Sequence, residues 1–198
     1  MVNVSKKIWL FWTDGWQAQI IVDVVQHVTF KLSNVNRPQE AYVTAVYAKC
    51  IAVERQDLWD SIVQVALNVQ VPWIVEGDFN VILKPEENLG GLPMHHKETA
   101  EFAHFVNNCG LLELKFSGSR YTWWNGRIEE DFIFKRLDRV FRNQEFMDLF
   151  PSSKFLEMVE NNWHLDFAAN PFIEFQTKMK KVKQALAGWS RETFGNSF

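Results

Sequence analysis

The chain has 198 residues, of which 47% are hydrophobic and 15% aromatic, and its formal net charge is −3. This composition excludes a disordered chain and provides enough apolar residues for one main domain with a real core. The charge excludes a large basic field of the kind that attracts nucleic-acid backbones. No apolar run approaches the roughly 20 residues of a membrane span.

The two cysteines, Cys50 and Cys109, lie far apart and match no metal-ligand spacing. Such sparse use of cysteine favours a reducing compartment, so the expected location is intracellular, either nuclear or cytoplasmic. A disulfide between the two is the less favoured alternative.

The first quarter of the chain is predicted to form strands. A short strand is expected at 8–12, one long strand or a bent pair at 19–32, and a further strand at 41–48. His27 lies inside the second of these segments. Because no partner ligand stands at a useful spacing from it, we interpret it as a packed histidine rather than a metal ligand.

A helix is predicted at 54–69, because apolar residues recur there at helical spacing. The pattern consists of Leu58, Ile62, Val65 and Val69. With the strands on either side, the segment predicts a strand–helix–strand crossover that places the helix on one face of a sheet.

The next strand leads into the most informative stretch, residues 71–83, Val-Pro-Trp-Ile-Val-Glu-Gly-Asp-Phe-Asn-Val-Ile-Leu. Gly77 is expected to permit a sharp turn. In extended backbone Asp78 and Asn80 project to the same side, while Phe79 anchors the other. A carboxylate that orients a water beside an amide that steadies an oxyanion suits phosphate hydrolysis. An Asx-rich turn without catalytic role is the alternative.

Residues 84–97 are predicted to form a loop, and we interpret His95 and His96 as solvated side chains. A helix is expected at 98–109, ending at Gly110, with Cys109 in the core.

Three more strands are predicted at 111–114, 121–124 and 132–141. The Asn125-Gly126 pair predicts that the last two form a hairpin. Within 132–141, Asp138 is flanked by arginines, and an ordinary cross-strand ion pair is the simplest interpretation of that pattern alone.

The C-terminal part begins with a predicted strand at 154–159. An amphipathic helix is then expected at 172–189, with a narrow apolar seam formed by Phe172, Phe175, Met179, Val182, Leu186 and Trp189. The seam packs either on its own domain or on another chain, as self-association or with a protein partner.

Three motifs occur in a fixed order: Trp73 to Asn80, then Ser119-Arg-Tyr-Thr-Trp-Trp124, then Lys135-Arg-Leu-Asp-Arg-Val140. Together they resemble the endonuclease/exonuclease/phosphatase superfamily, the fold of DNase I, and most of all the endonuclease of plant LINE-type non-LTR retrotransposons. The resemblance covers about 8–160. It implies an α+β fold, a two-layer β-sandwich flanked by helices, for a domain at 1–160. A C-terminal helical segment at 161–198 follows.

The resemblance also implies a catalytic set. Asp78 and Asn80 match the family's carboxylate and amide, and Asp138 matches the aspartate that orients the family's catalytic histidine. The implied cofactor is Mg²⁺ or Mn²⁺ and the implied partner is DNA, while the residues that would hold the metal stay unassigned.

A second implied set binds substrate. Tyr47 falls where the family has a tyrosine that contacts phosphate, and Trp123 and Trp124 fall in a segment that shapes the substrate groove. For the two tryptophans, apolar packing is an equal alternative.

The chain departs from the family at both ends. Residues 1–12 hold no counterpart of the N-terminal asparagine and metal-binding glutamate. The closing Ser-Asp-His tripeptide is missing, and His164 has the wrong neighbours to replace its histidine. The sequence therefore predicts an incomplete fold and an endonuclease that is inactive or impaired. The alternative is a non-catalytic fragment that binds a partner, or itself, through 172–189.

Overall fold

The computed structural model describes residues 1–149 apart from 13, 35–36, 93–95, 115–117 and 128–130, and beyond them Lys181, Gln184 and Gly188. The chain divides into two compact units, Met1–Phe146 and Met147–Phe198. The predicted strand at 154–159, the seam of the predicted helix at 172–189, His164 and the predicted boundary at 160 lie outside the described residues, so these stay predictions.

Two antiparallel or mixed sheets and three helices make up the described part of the chain. The strands are β1 (Trp16–Val24), β2 (His27–Asn34), β3 (Arg37–Tyr47), β4 (Trp73–Asp78), β5 (Asn88–Leu89), β6 (Leu112–Glu113), β7 (Trp123–Trp124), β8 (Phe134–Lys135) and β9 (Asp138–Arg142). The helices are α1 (Ala52–Ala66), α2 (His96–Asn108) and α3 (Gln144–Leu149), and a 3₁₀ turn spans Pro85–Glu87.

The larger sheet has the strand order β1-β2-β3-β4-β9-β6, and the smaller has β5-β8-β7. The predicted strand at 19–32 is a bent pair, because β1 and β2 form an antiparallel hairpin. Strands β3 and β4 are parallel and joined through α1, which confirms the predicted strand–helix–strand crossover. The predicted α+β class is confirmed.

The main core lies between the larger sheet and the helices α1 and α2. Phe79 is fully buried there, and its ring lies 5.2 Å from Phe102 and 5.4 Å from Phe141, centroid to centroid. Trp59 stacks on Phe105 at 4.5 Å. Because these rings come from two helices, one strand and the loop after β4, the cluster fixes the end of β4 with Asp78, and the loop with Asn80, relative to the helices.

The opposite face of the larger sheet is covered near its N-terminal strands by the first residues of the chain. The predicted strand at 8–12 is wrong, since only an isolated bridge between Val2 and Trp9 forms. Ile8 and Leu10 are nevertheless buried beside Val28 and Phe30 in a second apolar cluster. The N-terminal segment thus packs through side chains rather than through a sheet ladder.

The predicted strand at 132–141 is wrong as a single strand. Its first part is β8 in the smaller sheet, and its second part is β9 in the larger one. The chain crosses between the sheets at Arg136 and Leu137, both buried. The hairpin predicted from Asn125-Gly126 is confirmed, because β7 pairs with β8.

Several single-residue predictions are also settled. His27 is fully buried and bonds Ser61 and Thr29, so it is a packed histidine. Cys109 is buried and both cysteines are free, so no disulfide joins them. Burial raises the pKa of Cys109 to about 12. Among the described residues, no helix is both long and apolar enough to cross a bilayer.

Candidate functional site

Three of the predicted site residues occupy neighbouring positions on three adjacent strands. Tyr47 at the end of β3 is the register partner of Asp78 at the end of β4. Asp78 is in turn the partner of Asp138 at the start of β9. Direct partners point to the same side of a sheet, so all three side chains lie on one face, at the end of β4. This place is called the Asp78 edge. The three side chains lie on the face opposite to α1 and α2, because alternate residues such as Phe141 point into the helical core.

The turn predicted at Gly77 is wrong. Gly77 lies inside β4 and pairs with Val46 on one side and Arg139 on the other. Its φ is 135°, and a Cβ at this position would stand 2.0 Å from the Val46 carbonyl oxygen. Glycine is therefore required because β3 passes so close, and Asp78 is the last residue of the strand rather than the first of a turn.

The turn occurs at Asn80, which adopts the left-handed conformation with φ of 51°. Few residues other than glycine adopt it, and asparagine is one of them. Both nitrogens of Asn80 face Asp78: the backbone N–H donates to Oδ1 at 2.9 Å and Nδ2 donates to Oδ2 at 3.2 Å. Nδ2 also donates to the Ala48 carbonyl at 2.8 Å. The predicted carboxylate–amide pair is thus a bonded unit that spans the ends of β3 and β4.

Thr122 is a site residue that the sequence reasoning missed. Its Oγ1 accepts hydrogen bonds from the backbone N–H groups of Leu137 and Asp138, both at 3.0 Å. Its own N–H donates to the Lys135 carbonyl at 2.9 Å. Thr122 therefore joins β7 to the start of β9. The signal was present in the central Thr of the motif at 119–124, but only the fold shows what it bonds.

The two arginines that flank Asp138 do not form the cross-strand ion pair that the pattern suggested. Arg136 and Arg139 both donate to Glu113, at 2.7 Å and 2.6 Å. Arg139 also pairs with Glu87. The Glu87 carboxylate accepts hydrogen bonds from the backbone N–H groups of Leu83 and Lys84 as well. These contacts turn both guanidinium groups away from Asp138, which makes no ion pair within the described ranges.

Within the described residues, no cationic side chain forms an ion pair with Asp78 or Asp138. Burial raises the pKa of the Asp78 carboxyl, the hydrogen bond from the Asn80 N–H opposes the rise, and the charge of Asp138 adds to it. Glu87 shows the contrast. Burial raises its pKa too, but its ion pair with Arg139 and two backbone N–H groups hold the pKa below the ordinary value.

The oxygen donors at this edge fit a hard divalent cation. Magnesium is commonly held by one or two carboxylates together with water and substrate phosphate, and Asp78 and Asp138 supply two carboxylates. No group of three acidic, histidine or cysteine side chains suited to a metal occurs in the part of the chain that the structure describes. The two carboxylates are the oxygen ligands of this end of the sheet that a divalent cation could use.

The N-terminal segment brings a positive charge to Tyr47. The Lys7 Nζ lies 4.7 Å from the centre of the Tyr47 ring, and Tyr47 is 40% exposed. Asn3 anchors the segment, because its Nδ2 bonds Asp23 and the Val24 carbonyl, the latter at 2.8 Å. The sequence reasoning missed Lys7, since no spacing links it to Tyr47.

Trp123 and Trp124 lie on β7, directly after Thr122, and both are exposed. The Trp124 ring stacks on Phe134 at 5.9 Å, and its Nε1 donates to the Arg127 carbonyl at 2.9 Å. Trp123 is the register partner of Lys135. Both rings are therefore partly open to solvent, Trp124 with a stacking partner in Phe134 and Trp123 opposite a lysine in the neighbouring strand.

Comparison with known proteins bears on the fold. No protein-family model matches the chain, and no curated protein matches it. The endonuclease domain of TRAS1, a telomere-specific non-LTR retrotransposon, superposes with a TM-score of 0.50 at 16% identity, over 67% of this chain and 58% of that one. The human Nocturnin catalytic domain gives 0.40 at 16% identity, over 68% and 50%. TDP2 of D. rerio, complexed with a single-strand DNA product, gives 0.41 at 16%, over 64% and 52%.

Of these three structural similarities, the one to the TRAS1 endonuclease domain is strong enough to assign the fold. The chain has the DNase I-like endonuclease/exonuclease/phosphatase fold, which confirms the family fold predicted from the three motifs. It spans little more than half the length of the TRAS1 endonuclease domain, so the fold is incomplete relative to that domain.

Proposed function

We propose that this chain derives from the endonuclease of a plant LINE-type retrotransposon, and that its Asp78 edge binds a DNA phosphodiester together with a divalent cation but no longer hydrolyses it. The observation that carries the proposal is the register of β3, β4 and β9. It sets Tyr47, Asp78 and Asp138 side by side at one sheet edge, with Asn80 bonded to Asp78.

The side chains divide the task of binding a phosphodiester. Asp78 and Asp138 would hold Mg²⁺ or Mn²⁺, which when bound neutralises charge on a phosphoryl oxygen. Tyr47 offers a hydroxyl donor, and Lys7 beside it offers an ammonium group to the same anionic ligand. Trp123 offers an exposed ring on which a base stacks. The proposed location is the nucleus or cytoplasm, a reducing compartment in which two unpaired cysteines are expected.

The proposed loss of hydrolysis rests on the groups that activate water. A general base contributes roughly 10²–10⁴-fold to rate. Asp138 bonds no histidine among the residues described, and His27 is buried in bonds to Ser61 and Thr29. Binding a phosphodiester does not require a general base, so we propose that binding is retained where hydrolysis is lost.

Two measurements on the full chain test this proposal. Magnesium that binds the native state raises the melting temperature in proportion to ln(1 + [Mg²⁺]/Kd). We expect such a rise for the wild-type chain and for Asp14→Asn, and none for Asp78→Ala. Asp14 is a matched control because it is exposed and precedes the start of β1. That position lies at the end of the strands opposite to Asp78.

Nicking of supercoiled plasmid in magnesium is the second measurement, and we expect none. A nick that disappears in Asp78→Ala would show that hydrolysis survives. If magnesium leaves the wild-type melting temperature unchanged, the proposed cation site does not exist.

A second candidate function is association through the predicted helix at 172–189. Lys181, Gln184 and Gly188 have helical backbone, which supports a helix in this segment. The seam would then pair with a second copy or a protein partner. Replacing the seam residue Leu186 with Asp should lower the mass measured by light scattering if copies of the chain associate there. An unchanged mass would remove self-association.

A further inference from the structure

Arg55 is a deeply buried charged group near the candidate site. It lies on α1 and is 2% exposed. Its Nη1 donates to the carbonyls of Lys49, Cys50 and Asn80, at 3.1, 2.8 and 3.2 Å, and its Nη2 pairs with Glu98 on α2. A buried charge is tolerated only when it is paired and hydrogen-bonded, and these four acceptors meet that need.

The carbonyls that Arg55 binds belong to two loops. One loop follows Tyr47 at the end of β3, and the other follows Asp78 at the end of β4. We infer that Arg55 is a positioning residue, which holds Asn80 in its left-handed conformation so that the Asn80 amide meets the Asp78 carboxylate. The inference rests on the proposed function of the Asp78 edge.

The reasoning follows from the conformation of Asn80. Left-handed backbone is unfavourable for a residue with a side chain and persists where surrounding contacts hold it. The Asn80 side chain is held by Ala48 and Asp78, and its carbonyl by Arg55. If the carbonyl is released, the peptide is free to rotate, and the N–H and Nδ2 lose their alignment with Asp78.

The chemistry of arginine explains why this residue serves here. A guanidinium presents five donors in a rigid planar fork, so it reaches acceptors on separate segments at once. A lysine ammonium is a point charge with three donors. Arg55→Lys therefore keeps the charge but should leave some of the four acceptors unpaired. Leu58, Trp59 and Ile62 on the same helix supply its packing, so α1 does not need Arg55 for its apolar contacts.

The test follows the backbone N–H of Asn80 by NMR-detected hydrogen exchange in the full chain. That N–H donates to Asp78 Oδ1 at 2.9 Å. If Arg55 aligns it, Arg55→Lys should speed the exchange of the Asn80 N–H. Ile62→Ala is the control, because it opens a cavity beside the same helix and leaves the Arg55 hydrogen bonds in place. We expect no faster exchange of the Asn80 N–H in Ile62→Ala.

An unchanged exchange rate of the Asn80 N–H in Arg55→Lys overturns the inference, as does an equal rise in both variants, which would reflect general loosening. If Arg55→Lys does not fold, Glu98→Gln replaces it. That change keeps the guanidinium and weakens one partner, and a smaller rise in the exchange rate is expected; no rise overturns the inference. The measurement uses neither metal nor DNA. A wild-type chain that fails to bind magnesium would therefore contradict the proposed function while this result remains readable.

Discussion

The two sides of the turn after β4 face different surroundings. Phe79 points into the helical core and has no exposed surface. Asp78, its neighbour in sequence, points to the other face and accepts hydrogen bonds from Asn80. The Phe79 ring lies among other aromatic rings, whereas neither Asp78 nor Asp138 forms an ion pair with a described residue, and the charge of Asp138 raises the pKa of Asp78. One side of the turn stabilises the fold, and the other holds charge in an unfavourable arrangement, which is typical of a functional site.

The largest expected effect is on the core side. Phe79→Ala removes a ring that contacts Trp59, Phe102 and Phe141, so the free energy of unfolding should fall by about 3–5 kcal/mol. Urea unfolding measures it. Asp78→Ala is the matched change on the other side, and it should cost far less. Equal losses for the two variants would contradict the division between the faces.

The second-largest expected effect is a loss of stability in acid, caused by the buried His27. Burial lowers the pKa of His27 from 6.5 to about 4, against the opposing charge of Asp23. The unfolded chain thus takes up this proton below about pH 6.5 while the folded chain does so only near pH 4. Stability should fall on the order of 3 kcal/mol as pH drops through this window. The difference in urea midpoint between wild type and His27→Gln isolates the histidine, and parallel pH profiles would refute its contribution.

A smaller effect is expected from removing one charge of the site. Asp138→Asn keeps the backbone N–H that Thr122 accepts but removes the charge that acts on Asp78. The pKa of Asp78 should therefore fall toward its ordinary value, although burial will keep part of the rise. Because Asp138 is exposed, the free energy of unfolding should change by no more than about 0.5 kcal/mol. NMR titration of Asp78 checks the first expectation, and an unmoved pKa would mean that the two carboxylates do not interact.

The last prediction concerns Lys7, whose main effect is expected in DNA binding rather than in stability. Its cation–π contact with Tyr47 is exposed and stabilises the fold by about 0.5–1 kcal/mol. If Lys7 also contacts phosphate, Lys7→Gln should reduce the slope of log K against log salt for an oligonucleotide by about 0.7–0.9. Lys97→Gln on α2 is the control, since its side chain is 86% exposed on another element. The same slope for Lys7→Gln and wild type would remove Lys7 from the binding surface.

Much of the fold was predictable from local patterns. The crossover through α1, both central helices and the β7–β8 hairpin follow from apolar spacing and turn residues, which act over a few positions. The break between β8 and β9 was not predictable, because the apolar pattern continues across Arg136 and Leu137 while the chain changes sheets. The N-terminal residues showed a strand-like pattern but pack without a ladder.

The residues of the candidate site were likewise predictable only in part. Asp78, Asn80, Tyr47 and Asp138 were identified through motifs, and the structure brings them together at one edge. Thr122, Lys7 and Arg55 act through contacts with residues distant in sequence, and no spacing reveals such contacts. Gly77 was assigned to a turn because glycine permits one, whereas here it serves the close approach of β3.

The bonds of Thr122 have a consequence for how variants of the tryptophan segment are interpreted. One hydroxyl oxygen accepts the amides of Leu137 and Asp138, while the same residue pairs with the strand opposite β7. A substitution of Thr122, or one that shifts it, would therefore displace the aspartate even where it removes no ligand contact. Weakened DNA binding in such a variant would not by itself identify a groove, and the position of the Asp138 amide resonance would tell displacement apart from a lost stacking partner.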